Sequence, residues 1–264
     1  MFATDFLFDE NRASDFGLMI GCFDGDSQTA TGGNIEYTVV KTPNRDTFDF
    51  YGSQFNEVIT WNFSIMKIPC MNEDEDMFFN QYEESRIAQW LLKQDGYRWF
   101  QFDQEGYEDI YYMVQINMLP HQICGRTIGF DLTVTSNCGY GFSEEIEKTY
   151  TFNNNKSIRL DIHSDTNSYI LPYITIENGN GDFYISNDSD LSQCHSNAKE
   201  TALNNISKTV TLDSDNDLIQ GISSSSCFNW YFPRLVNGVN NITTNSTNDI
   251  KITFKYREPR RVIV

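Results

Sequence analysis

The chain has 264 residues, a net charge of −18 and an aromatic content of 14%. Its acidity argues against a duplex nucleic acid ligand, because such binding requires lysine and arginine to displace counter-ions from phosphates. The aromatic content favours β-sheet packing over disorder, and the length suits two medium-sized β domains or one large one.

The charge is unevenly distributed. Residues 1–150 have a net charge of −16, residues 151–250 of −6 and residues 251–264 of +4. We expect the basic segment 251–264 either to be a solvated end or to pack against an acidic neighbour, in another chain or in the acidic first half of this one. The start of the chain lacks the basic residues of a signal peptide, and no apolar run approaches the roughly 18 residues of a membrane span.

Several strands are predicted before residue 70. The clearest alternates large apolar residues at every second position, which places Trp61 and Phe63 on the core side. Proline, asparagine and glycine residues separate the predicted strands. The strands predicted in this region are Phe16–Phe23, Tyr37–Thr42, Thr47–Tyr51 and Glu57–Ile68.

An amphipathic helix is predicted within Asn72–Tyr112. Apolar side chains recur there at steps of three and four, and they make Trp90 and Leu91 anchors of the core. The four acids of Glu73–Asp76 complement the positive end of a helix, and Gly96 is a suitable stop. The same acids could instead form a paired-carboxylate catalytic site, but a solvated cap is the preferred interpretation.

A hairpin follows the helix, with strands Tyr97–Phe102 and Ile110–Ile116 around the turn Asp103–Gly106. Another alternating strand, Arg126–Thr135, completes a predicted N-terminal domain of residues 1–145. Residues 141–150 are polar and acidic and are interpreted as a connector.

The rest of the chain predicts a second β-sandwich, residues 146–264, because short strands alternate there with turns rich in asparagine, serine and glycine. The predicted strands are Ser157–Asp161, Ile170–Ile176, Asp182–Ser186, Ser207–Leu212, Phe228–Pro233 and Asp249–Tyr256.

Catalytic and metal-binding patterns are weak. The chain has three histidines and no nucleophile elbow, phosphate-binding loop or zinc-protease motif. The adjacent pair Cys194 and His195 is a poor zinc signal on its own. Asp213–Asp217 imitates the start of a calcium loop, but Leu218 and Ser224 stand where glycine and glutamate are required, so a polar hairpin turn is favoured. We therefore expect no enzymatic activity, no cofactor and no metal.

The six cysteines lie far apart and form no C-x-x-C pair. We interpret them as reduced and mostly buried thiols rather than disulfides or metal ligands. They are Cys22, Cys70, Cys124, Cys138, Cys194 and Cys227.

An aromatic run near the C-terminus leaves two alternatives open. Trp230 and Tyr231, with Phe232, could form an exposed platform on which a sugar stacks. Alternate members of the run could instead point into the core, which is the more common arrangement.

Several stretches together resemble the distal tail proteins of long-tailed, non-contractile bacteriophages, and their order covers nearly the whole chain. In the first half they are FGLMIGCFDGDS (16–27), YTVVKTPNRDTFDFYG (37–52), NFSIMK (62–67), RIAQWLLKQDGYRWFQF (86–102) and IGFDLTVTSNCGYGFSE (128–144). In the second half they are VTLDSDNDLIQG (210–221), FNWYFPRLVNGVNNIT (228–243) and IKITFKYREPR (250–260).

The resemblance implies a mainly β protein: an N-terminal β-sandwich with one helix and a hairpin, then a galectin-like or carbohydrate-binding-module-like sandwich. It implies a non-enzymatic virion protein, made in the host cytoplasm, that forms a homohexameric hub at the distal end of the tail. The implied partners are the tail-tube protein, the tail-associated tip protein and receptor-binding or baseplate proteins. DNA would pass through the channel without specific binding, and the acidic first half suits such a lumen. The alternative function is a carbohydrate-binding module for host-surface glycans.

Overall fold

The computed structural model describes residues 3–21, 23, 29–55, 57–69, 77–93, 95–152, 157–190, 200–246 and 249–262. The chain forms two compact units. The first comprises Met1–Phe142 with Arg261–Val264, and the second comprises Ser143–Arg260. The described residues are mainly strands with one α-helix, which confirms the predicted fold class.

The first unit contains eleven strands and one α-helix among its described residues. The helix α1 is Gln81–Leu91, and a short 3-10 helix spans Ala13–Phe16. The strands are β1 Asp5–Phe8, β2 Asn11–Arg12, β3 Leu18–Gly21, β4 Thr29–Thr31, β5 Ile35–Lys41, β6 Phe48–Phe55, β7 Thr60–Lys67, β8 Arg98–Asp103, β9 Tyr112–Ile123, β10 Arg126–Ser136 and β11 Gly141–Phe142.

Eight of these strands form one antiparallel sheet. Its order is β2-β1-β8-β9-β10-β7-β3, and β4 also pairs with β7. The backbone N–H of Ile20 in β3 donates a 2.9 Å hydrogen bond to the carbonyl of Thr4, next to β1, so the end of the sheet at β3 returns to β1. The two sides of the sheet thus meet around a common core.

The core of the first unit is unusually aromatic. Trp61 lies edge-on to Tyr112 with the ring centroids 4.6 Å apart, and Trp90 stacks on Phe16 at 4.3 Å. Phe6 also stacks on Trp90, with the ring centroids 5.6 Å apart. Aromatic rings pack at such distances in offset or edge-to-face geometry. Trp61, Phe63, Trp90 and Leu91 are all buried in this one cluster.

Helix α1 begins later than its predicted acidic cap. Asn80 is the N-cap: its side chain accepts hydrogen bonds from the backbone N–H groups of Tyr82 and Glu83, and Glu83 in return accepts from the N–H of Asn80. This reciprocal capping box fixes the start of the helix. Residues 73–76, assigned by sequence to the first turn, lie outside the described residues.

The second unit contains two antiparallel sheets. Their orders are β12-β20-β14-β17-β18 and β13-β19-β15-β16. Nineteen buried side chains form one core, centred on β20, where Ile250, Ile252 and Phe254 are fully buried. The strands are β12 Ile146–Phe152, β13 Ile158–Ile162, β14 Tyr173–Glu177, β15 Gly181–Asn187, β16 Glu200–Ile206, β17 Val210–Asp213, β18 Leu218–Gln220, β19 Gly238–Thr244, β20 Ile250–Tyr256 and β21 Pro259–Arg260; a 3-10 turn spans Ser225–Cys227.

Two of the predicted features are wrong in detail. Half of the supposed connector 141–150 belongs to β12, and residues 141–142 form β11; the acidic residues at 144, 145 and 147 hid the strand in the sequence. Phe228–Pro233 is not a strand, since Trp230 has a φ of 59°, outside the extended region. The sequence reading also omitted β16 and β19.

The basic C-terminal segment is divided between the two units. Its first part is β20, which pairs with β12 and β14 in the second unit. Arg261 and Val262 group with the first unit, where Val262 packs against the hydrophobic core.

Candidate assembly surface and aromatic cluster

Strands β5 and β6 form a hairpin that stands apart from the main sheet. They pair with each other from Ile35 and Phe55 at the base to Lys41 and Phe48 near the turn. No other described strand pairs with either of them. An isolated two-stranded hairpin is marginally stable in water unless something covers it.

One side of this hairpin is apolar and exposed. Tyr37, Val39, Phe48 and Phe50 form this side, which we call the hairpin face; the pairing of Val39 with Phe50 places these side chains together. Tyr37, Phe48 and Phe50 are 61%, 63% and 63% exposed. The rings of Tyr37 and Phe50 lie 6.3 Å apart, and Lys41 Nζ lies 5.9 Å from the Phe48 ring. Exposed apolar patches of this kind mark interaction sites.

Both ends of the hairpin are fixed. At the base, the Phe55 ring packs on Tyr140 with the ring centroids 5.3 Å apart. The neighbouring Gly139 has no room for a side chain, because a Cβ there would lie 2.7 Å from the Phe55 ring and 2.8 Å from the Glu57 carbonyl. At the turn, Asp49 accepts hydrogen bonds from Thr42 Oγ1 at 2.6 Å and Arg45 Nη1 at 3.0 Å. The contact of Phe55 therefore attaches the base of the hairpin to the unit, and the hydrogen bonds of Asp49 hold its turn together.

A second apolar surface lies at the end of the β9–β10 hairpin. Strand β8 pairs with β9 only from Tyr112 to Val114, so no described strand covers the outer edge of β9 from Gln115 to Ile123. At this end Leu119 is 69% exposed and Ile123 is 52% exposed. Uncovered strand edges pair readily with other chains.

The second unit carries a mixed aromatic and charged cluster. Arg234 Nε lies 2.6 Å from Asp190 Oδ2, and the Arg234 guanidinium lies 4.0 Å from the centre of the Tyr169 ring. Asp190 is only 3% exposed. We call Tyr169, Asp190 and Arg234 the Arg234 cluster. Burial, and then the charge of Asp190, raise the pKa of the Tyr231 phenol.

Trp230 is 57% exposed, whereas its neighbours Phe228 and Phe232 pack toward the core. The Trp230 ring contacts Phe228 with centroids 5.7 Å apart. Within the aromatic run, Phe228 and Phe232 belong to the interior. Trp230 lies at the surface, and Tyr231 is half-buried. Arg234 directly follows the run, but Tyr169 and Asp190 lie tens of residues before it, so no local motif predicts this cluster.

The structure describes only part of the residues that the sequence suggested for metals and catalysis. Among the described residues, no three His, Cys, Asp or Glu side chains form a potential metal site. Asp213 instead caps the turn between β17 and β18, accepting from the N–H groups of Asp215 and Asn216 at 3.2 Å. Glu73–Asp76, Cys194 and His195 lie outside the described residues.

The described cysteines are free thiols. Cys124 is exposed in the turn between β9 and β10, Cys138 is half-buried and Cys227 is buried. Burial raises the pKa of the Cys138 thiol. Cys22, Cys70 and Cys194 lie outside the described residues. None of the described helices is long and apolar enough to span a membrane.

Comparison with known proteins places the chain in a family. Residues 1–138 match the model of a phage tail protein N-terminal domain, and residues 140–256 match that of a phage tail C-terminal domain. No curated protein sequence matches the chain. Among solved structures, the crystal structure of Dit (gp 19.1) of phage SPP1, described as a paradigm of the hub adsorption apparatus in phages that infect Gram-positive bacteria, has the same fold.

The fold similarity extends over both chains. It covers 97% of this chain and 99% of SPP1 Dit, with a TM-score of 0.58 and 10% sequence identity. The two family matches together span nearly the whole sequence and agree with the two β units of the structure. The chain therefore belongs to the phage tail protein family, is a component of the virion, and has the fold of a distal tail protein.

Proposed function

We propose that this protein is the structural hub at the distal end of the phage tail, where copies of the chain form a homohexameric ring. The ring joins the tail tube to the tail-tip and receptor-binding apparatus. This role needs no catalytic residue, cofactor or metal. The observation that carries the proposal is the exposed hairpin face on a chain with the fold of a hub protein.

The second copy of the chain is the occupant that fits the hairpin face. A single subunit offers two different apolar surfaces: the hairpin face and the β9–β10 end with Leu119 and Ile123. When two unlike surfaces of one chain bind each other, the contact is head-to-tail, and it closes into a ring if the rotation allows. Burial of each large side chain contributes about 1.5–3 kcal/mol.

The acidic composition suits the passage of DNA through such a ring. Residues 1–142 of the first unit carry 22 acidic and 8 basic residues, a net charge of −14, so a channel lined by this unit repels the DNA backbone instead of binding it. We propose that the flat sides of the ring contact the tail-tube protein and the tail-associated tip protein, and that receptor-binding or baseplate proteins attach at the periphery.

The location can be tested by electron microscopy of phage particles that carry an epitope tag on this protein, labelled with gold-conjugated antibody. The proposal predicts label at the end of the tail opposite the head. Untagged particles are the control. Label along the whole tube, or at the head, would exclude a distal hub while leaving the family membership intact.

A further inference from the structure

Both legs of the β5–β6 hairpin pass against one short segment of the first unit. The leg that enters β5 is residues 32–34, and the leg that leaves β6 is residues 55 and 57–59. The segment is residues 136–140, at the end of β10, and we call it the seat. No described strand outside the hairpin pairs with it. The contacts between the legs and the seat therefore attach the hairpin to the unit.

The legs and the seat approach each other so closely that glycines are needed at the contact. At Gly139 of the seat, a Cβ would lie 2.8 Å from the Glu57 carbonyl oxygen. At Gly32 of the first leg, a Cβ would overlap the Val58 carbonyl, and at Gly33 it would lie 3.2 Å from the carbonyl oxygen of Gly139. A side chain at Gly32 or Gly139 would therefore force these backbone segments apart.

Hydrogen bonds hold the second leg on the seat. The N–H of Ile59 donates to Ser136 Oγ at 2.8 Å, and the N–H of Ser136 donates to the Ile59 carbonyl at 2.8 Å. The Ser136 side chain is buried, and its hydroxyl donates in turn to the Cys138 carbonyl at 2.5 Å. Because the Phe55 ring also packs on Tyr140, the second leg is held on the seat at two points.

Strand β10 connects the seat to the β9–β10 end. It begins at Arg126, which pairs with Ile123 at that end, and it finishes at Ser136 in the seat. At about 3.4 Å per residue, its eleven residues span roughly 34 Å. The strand pairs with β9 on one side and with β7 on the other, which makes it a stiff spacer. The hairpin is thus attached at one end of β10, and the β9–β10 end lies at the other.

We infer that the seat determines how many copies of the chain close the ring. The inference rests on the proposed assembly of the hairpin face with the β9–β10 end of the next copy. In a head-to-tail assembly, the rotation between neighbouring copies decides whether a ring closes. This rotation depends on the angle between the hairpin and the β9–β10 end of the same subunit, and the seat sets that angle. Phe55, Ser136 and Gly139 are therefore positioning residues, whose role is to orient the hairpin face.

The competing interpretation is a hairpin that only adheres, with its angle chosen by the neighbouring copy. A hairpin of that kind needs room to move at its base. The backbone contacts at Gly32 and Gly139 leave no such room, and the hydrogen bonds between Ile59 and Ser136 oppose a shift of the second leg.

The test is native mass spectrometry of the full-length wild type and of the variants Gly139→Ala and Phe55→Ala. The first variant pushes the second leg off the seat, the second removes the ring that packs on Tyr140, and both keep the hairpin face intact. We expect both variants to associate, but with a spread of copy numbers and open chains in place of a dominant hexamer. The double variant Phe48→Ser with Phe50→Ser removes the face itself and should give monomers.

The matched control is Gly106→Ala, in the turn between β8 and β9. Its φ of 84° strains an added side chain, but nothing lies within 4 Å of the added Cβ, so it should form the same hexamer as the wild type. Thermal melting verifies that each variant is folded, and Phe55→Ala decides the question if Gly139→Ala does not fold.

Three results would overturn the inference. A uniform hexamer from the folded variants at Gly139 and Phe55 would show that the seat does not set the copy number, and it would leave the proposed hub intact. Monomers from these variants would show that the seat residues are needed for adhesion and not for the angle. A monomeric wild type would overturn the hub and this inference together.

Discussion

Lys67 Nζ lies 2.8 Å from Glu83 Oε1, and this contact joins the end of β7 to the first turn of α1. Lys67 is nearly buried, donates a second hydrogen bond to the Phe78 carbonyl at 3.1 Å, and lies 5.0 Å from the centre of the Phe79 ring. Glu83 also completes the capping box with Asn80. One ion pair therefore orients the helix on the sheet.

Replacement of Lys67 should destabilise the first unit. In Lys67→Met the Glu83 carboxylate and the Phe78 carbonyl lose a charged donor, and we expect the free energy of unfolding to fall by about 1–3 kcal/mol. Urea denaturation measures it. Lys251→Met is the matched control, since its partner Glu177 and Lys251 itself are both well exposed, and such pairs contribute about 0–1 kcal/mol. Equal effects of the two substitutions would contradict the orienting role of Lys67.

The same pair predicts a pH dependence. Burial alone would raise the pKa of Glu83, but hydrogen bonds from Lys67 and Asn80 and the Lys67 charge outweigh it, so the pKa is lowered from 4.5. The folded state thus binds this proton more weakly than the unfolded state, and Glu83 contributes stability above the ordinary carboxyl pKa. The contribution begins to fall when the pH drops below about 4.5, and it is lost once the pH is below the lowered pKa of Glu83 in the folded state.

The measurement is the difference in free energy of unfolding between wild type and Glu83→Gln, taken from neutral to acid pH. We expect the wild-type advantage to be largest near neutrality and to shrink in acid. An advantage that stays constant down to pH values well below the carboxyl range would show that the charge of Glu83 has no part in it.

The β9–β10 end is the predicted acceptor of the hairpin face. The double substitution Leu119→Ser with Ile123→Ser removes two exposed apolar side chains, so ring assembly should weaken while the melting temperature of the isolated subunit changes little. Analytical ultracentrifugation measures the assembly. Leu218→Ser, an equally exposed position in the second unit, should leave it unchanged. Full assembly of the double variant would place the acceptor elsewhere.

The core of the first unit could be predicted from sequence because its signal is local. The alternation that includes Trp61 and Phe63 appears in β7, and the three- and four-residue steps that include Trp90 and Leu91 appear in α1. The helix start was misplaced because four consecutive acids are more conspicuous than the Asn80–Glu83 capping box. That pattern was nevertheless readable in the sequence.

The candidate sites were harder to predict for a different reason. Strands β5 and β6 have the composition of core strands, and only their pairing shows that Phe48 and Phe50 lack cover within the unit. The Arg234 cluster joins side chains that are tens of residues apart, with Asp190 and Tyr169 brought to Arg234 by the fold. Neither arrangement is marked by a characteristic spacing of residues along the sequence.

The central claim is that this chain assembles into a closed ring through its hairpin face. Native mass spectrometry of the purified protein at micromolar concentration, on the wild type and on the double variant Phe48→Ser with Phe50→Ser, tests it most directly. The account predicts a homohexamer for the wild type and folded monomers with an unchanged melting temperature for the variant. A monomeric wild type, or a variant that forms the same ring, would contradict it.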